Sequence, residues 1–122
     1  MENDSLRRPW QFYTTSSGRS PVKEFLLSLD VCDRASLAQE LHAVAHQGLG
    51  QARHVRGRIW HVGAHGPDSP LQVIFGIVTH GLLAIEGFVG RSSLPPPDKI
   101  ALAERRLHEW EQRRKEVALS GS

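Results

Sequence analysis

Leu71-Gln72-Val73-Ile74-Phe75-Gly76-Ile77-Val78 and Leu82-Leu83-Ala84-Ile85-Glu86-Gly87-Phe88-Val89 are separated only by Thr79, His80 and Gly81. Both runs are apolar and rich in β-branched and aromatic residues, and a tight turn at His80-Gly81 predicts that they pair as two strands. Downstream, Gly90-Arg91-Ser92-Ser93-Leu94-Pro95-Pro96-Pro97 is short, polar and basic, and it ends in prolines suited to opening a helix. Ile100, Ala103, Leu107 and Trp110 then recur at spacings of three and four, the single apolar stripe of an amphipathic helix. Upstream, Arg58-Ile59-Trp60-His61-Val62 reads as another strand, joined to Leu71 through the turn formers of His65-Gly66-Pro67-Asp68-Ser69-Pro70. Consecutive strands with short connections favour an antiparallel meander.

The N-terminal third supplies the remaining elements. Trp10-Gln11-Phe12-Tyr13-Thr14-Thr15 alternates at period two and stops at Ser16-Ser17-Gly18, as a strand would. Ser20-Pro21 places a capping hydroxyl before a proline at the first helical position, and Val22, Phe25, Leu26 and Leu29 follow at helical spacing. A second helix is predicted with Asp33 as its cap, Leu37, Leu41, Val44 and Ala45 as its buried stripe and Gly48 as its terminator. Residues 48 to 57 read as a loop. The expected architecture is an α+β fold: a small, mostly antiparallel sheet of four strands, an N-terminal helical hairpin on one face, and a C-terminal helix. One domain is expected over 9–116, between tails at 1–8 and 117–122.

A chain of 122 residues falls within the single-domain range. The apolar run from Leu71 to Leu83 contains Gln72, Thr79 and His80 and falls short of the roughly 20 apolar residues that a membrane-spanning helix needs. Met1-Glu2-Asn3-Asp4-Ser5-Leu6-Arg7-Arg8-Pro9 is polar, unlike a secretory leader, and the single Cys32 cannot form an internal disulfide. The expected location is the cytoplasm, with no membrane partner. A net charge of +2 is too small for a dedicated duplex-DNA binder, which neutralises many phosphates. Its distribution says more: Arg53, His54, Arg56 and Arg58 cluster with no acid among them, whereas residues 104 to 116 interleave Glu with Arg and Lys like a solvated helix face.

Several chemistries find no support. His42 and His46, four residues apart, lack the intervening Glu and the third ligand of a zinc site, and no Gly-rich phosphate loop follows a strand. Cys32 has no evident activating neighbour, and Trp10, Trp60 and Trp110 fall on stripes expected to pack. No metal and no cofactor are expected.

The order of elements over about residues 10 to 110 resembles the RelE superfamily of small bacterial toxins, and more closely its HigB-like branch. The resemblance is carried by Ser20-Pro21-Val22 with Phe25, Leu26 and Leu29. It continues in Gly57-Arg58-Ile59-Trp60-His61-Val62-Gly63, in Leu71-Gln72-Val73-Ile74-Phe75, and in Phe88-Val89-Gly90-Arg91-Ser92-Ser93-Leu94-Pro95 before the last helix. It implies the toxin of a type II toxin–antitoxin pair: a metal-independent endoribonuclease acting on mRNA, commonly on the ribosome, and held in a hetero-oligomer by an antitoxin with a helix-turn-helix domain. Where the family carries strand arginines and loop cations, this chain has Gly63, Gln72 and Gly90, and the family's strand Glu is His61. Only Arg91 keeps the loop charge.

Cleavage through a ribose 2′-hydroxyl needs a base, cations for the pentavalent phosphate and an acid, and one lost donor typically lowers the rate by about two to three orders of magnitude. The replacement set read from the sequence is His61 for proton transfer and Arg91 for the phosphate. Arg53, His54, Arg56, Arg58 and Gln72 are assigned to RNA contact, and His54 and His65 are further proton-donor candidates. Two other readings stand beside this one: a degenerate, non-catalytic module that keeps the fold to bind an antitoxin, the ribosome or another partner, and a toxin directed at a target other than RNA.

Overall fold

The computed structural model describes residues 8–65, 69–90 and 94–120. Five strands, β1 (Trp10–Phe12), β2 (Arg53–Arg56), β3 (Ile59–Gly63), β4 (Leu71–Val78) and β5 (Gly81–Val89), form one sheet in the order β1-β5-β4-β3-β2. The expected meander is present as antiparallel β3, β4 and β5, with Ile59 opposite Gly76 and Leu71 opposite Val89. The helices are α1 (Pro21–Ser28), α2 (Val31–Gln47) and α3 (Pro97–Ser120), so the α+β class holds.

Four details differ from the sequence reading. The sheet has five strands rather than four, because Arg53–Arg56, read as part of a loop, pairs antiparallel with β3. Its alternation is of half-exposed and exposed residues, so no apolar pattern marks it. It forms because the free edge of β3 needs partners for its amides and Gly57, at φ 56°, permits the tight reversal between the two strands. The sheet is also mixed, since β1 runs parallel to β5 with Trp10 opposite Leu82. Finally, α2 is capped by Asp30 instead of Asp33: the Asp30 carboxylate accepts from the Asp33 N–H at 2.8 Å. The Ser20 cap of α1 is present, and α3 continues to Ser120 through most of the segment read as a tail.

Strand alternation divides the core into two layers. On one face, Val22 of α1 and Leu37, Leu41 and Val44 of α2 cover Val62, Val73, Phe75, Leu82 and Ala84. On the other, Ala103 and Leu107 of α3 cover Ile59, Ile74, Leu83, Ile85 and Phe88. Burial on both faces explains why β4 and β5 read as continuous apolar runs. The α1–α2 corner is tied by Arg34, whose guanidinium donates to the carbonyls of Leu26 and Leu29, each at 3.0 Å. α1 sits so close to β5 that a Cβ on Gly87 would lie 2.2 Å from the Phe25 ring. Among the described residues no helix is long and apolar enough to cross a membrane.

Candidate functional site

Of the positions singled out by the resemblance, His61, Gly63 and Gln72 lie together on the α3 face of the sheet. β3 alternates so that Ile59 packs under α3 and Val62 under α2, which places His61 and Gly63 on the α3 side. Register sets His61 opposite Ile74, itself opposite Glu86, and the next row is Gly63, Gln72 and Phe88. Arg53 of β2 lies opposite His61 from the other side. His61, Gln72 and Arg53 are thus brought together. His54 is not: it is the neighbour of Trp60 on the opposite face, its ring 5.0 Å from that indole and its Nε2 2.8 Å from the Gly57 carbonyl.

His61 and Gln72 do not stand on an open surface. Both are 0 % exposed, and His61 Nδ1 lies 2.7 Å from Gln72 Oε1. Gln72 Nε2 donates to the Ser69 carbonyl at 2.6 Å, which fixes the orientation of the amide. The oxygen therefore faces the imidazole, Nδ1 carries the proton in the neutral ring, and Nε2 presents a lone pair. Among the described residues that Nε2 has no hydrogen-bond partner. Burial pushes the His61 pKa below the usual imidazole range; the Gln72 hydrogen bond opposes this, and the positive charge of Arg53 adds to it.

Arg56 and Arg58 are engaged by α3. Arg56 makes paired bonds to the Glu104 carboxylate at 3.0 and 2.5 Å, and Arg58 to Glu111 at 2.5 and 2.6 Å. These bonds hold both carboxyls below and both guanidiniums above their ordinary pKa values. His65 is exposed, 3.9 Å from the Asp33 carboxylate. Arg91 lies outside the described residues.

The sequence reading passed over a second polar cluster on this face. Glu86, in the His61 row, accepts from Lys99 Nζ at 2.9 Å and from Arg106 at 3.2 Å, both on α3. Glu86 is the one acid between Leu71 and Val89, and that isolation within an apolar strand was the available signal. Chemically, the face holds a directed proton acceptor at His61, while cations facing it from α3 are already matched by a carboxylate. No cluster of three or more metal-ligating side chains occurs among the described residues. No protein-family model and no curated protein matches the sequence.

Proposed function

We propose that this chain is a toxin-like protein of the RelE superfamily, in its HigB-like branch, that works by binding a partner and does not cut RNA as it stands. The observation that carries this reading is the buried His61–Gln72 pair, 2.7 Å apart, standing where cleavage would need solvent-facing cations. Arg56 and Arg58, two of the residues assigned to RNA contact, are paired with Glu104 and Glu111. The partner implied by the resemblance is a helix-turn-helix antitoxin in a cytoplasmic hetero-oligomer.

The test is inducible expression of the chain, with growth and the 5′ ends of cellular mRNA followed together, and co-purification with the product of an adjacent helix-turn-helix reading frame. Normal growth, unchanged mRNA ends and a stable complex are expected.

A second reading, ribonuclease activity with His61 as the base, is favoured by one specific feature: the buried Nε2 that lacks a partner among the described residues. Growth arrest with new mRNA ends, both abolished by His61→Gln, would establish it over the first. Arrest that survives His61→Gln with mRNA intact would point instead to a target other than RNA.

A further inference from the structure

At the far end of the same sheet face, a groove of about 480 Å³ runs between the β4–β5 turn and the C-terminal half of α3. Val78, in the groove wall, is four residues along β4 from Ile74, the residue opposite His61, so the groove begins about 13 Å from His61 along the sheet. Its walls include His80, His108, Trp110, Arg114 and Lys115, with Glu111 as its acid. The Glu111 carboxylate is already held by Arg58, and Lys115 and His108 also lower its pKa from nearby. With the Glu111 carboxylate taken up by Arg58, Arg114 and Lys115 leave the groove lining with an excess of positive charge. Trp110 is half-buried in the wall, with the Arg114 guanidinium 6.0 Å from its ring centroid.

We propose that this groove is a second binding site, for single-stranded nucleic acid. The combination fits that ligand better than a peptide or a membrane: separated cations suit successive phosphates, the indole and guanidinium planes suit stacking of a base, and the groove is open enough for a chain to pass through. The inference does not rest on the toxin-like reading, and the groove shares no residue with the His61 pair.

The experiment is fluorescence anisotropy of a labelled oligouridine of about eight nucleotides, titrated with the natural chain over a range of salt. Arg114→Glu with Lys115→Glu is expected to weaken binding more than tenfold and to lower the log–log salt slope by about 1.4, the value for two phosphate contacts on a single strand. Trp110→Leu, which keeps apolar bulk beside Tyr13, is expected to weaken binding about tenfold with the slope unchanged. Arg105→Glu, exposed on α3 and outside the groove, should leave the slope as it is. Absence of oligouridine binding at about 50 mM salt, equal binding by the double variant, or equally tight binding of a polyglutamate peptide would each overturn the proposal. Circular dichroism melts of the variants separate lost binding from lost folding.

Discussion

His61 is the residue on which the two functional readings divide, and its environment makes a prediction independent of either. Its pKa is depressed, chiefly by burial, so the folded protein binds a proton there less readily than the unfolded chain does. Where the unfolded state holds more protons, stability rises with pH. The urea midpoint should therefore be highest near neutrality and fall as pH drops through and below about 6.5, the unfolded imidazole range. The carboxylates held by arginine lose their contribution only below the normal Glu range, so the interval between about pH 7 and 5 isolates the histidine term. His61→Gln should flatten the profile in that interval, and an unchanged profile would mean the depression is absent. Gln72→Leu tests the pair from the other side. It leaves the buried Nδ1–H of His61 without its acceptor and should destabilise by about 1–3 kcal/mol in denaturant titration. Gln72→Arg, which installs the arginine that the resemblance expects on this strand, places a charge in a fully buried position and should destabilise as well, so any change in growth inhibition has to be read against a lowered midpoint.

Among the elements, α1 and α3 are attached to the sheet by different physics. α1 depends on close approach: Gly87 has no side chain, and the Phe25 ring occupies the space a Cβ would take, 2.2 Å away. Gly87→Ala should therefore destabilise by about 1–3 kcal/mol, the usual range for overpacking, and Gly87→Ala with Phe25→Leu should recover part of the loss. α3 combines its apolar stripe with charge pairs that reach across to other elements. Glu104 and Glu111 take Arg56 and Arg58, Tyr13 donates to Glu109 at 2.5 Å, and Glu86 takes Lys99 and Arg106. The exposed Arg58–Glu111 pair should contribute less than about 1 kcal/mol in a double-mutant cycle. The largely buried Glu86 should matter more. Glu86→Gln leaves Lys99 and Arg106 facing each other without a counter-ion and should lower stability by about 1–3 kcal/mol, in a urea titration that responds weakly to salt.

For the molecule as a whole, two covered faces and two short edge strands, β1 and β2, set the order of opening. β4 and β5 lie inside the sheet with helices on both sides, so their amides should exchange slowest, at the rate of global unfolding. β2 is a four-residue edge strand, paired on one side only, and should exchange orders of magnitude faster in the free protein. If a partner covers the basic edge, hydrogen exchange should slow between Arg53 and Arg56 on complex formation. Unchanged exchange there would move the partner surface elsewhere.

The order of elements was legible because it depends on local rules. Ser20-Pro21 can only open a helix cheaply, Leu37, Leu41 and Val44 recur at helical spacing, and the two apolar runs flanking His80-Gly81 have no better option than to pair. What the sequence could not determine was which charges are free. Residues 104 to 116 look self-compensating when read along the helix, yet Glu104 and Glu111 pair with arginines 48 and 53 residues away. Nor could it separate β2 from a loop, because an edge strand is defined by a neighbour's unpaired amides and not by its own side chains. The burial of His61 is likewise a tertiary fact: a histidine on a strand reads the same in sequence whether its face is open to solvent or covered.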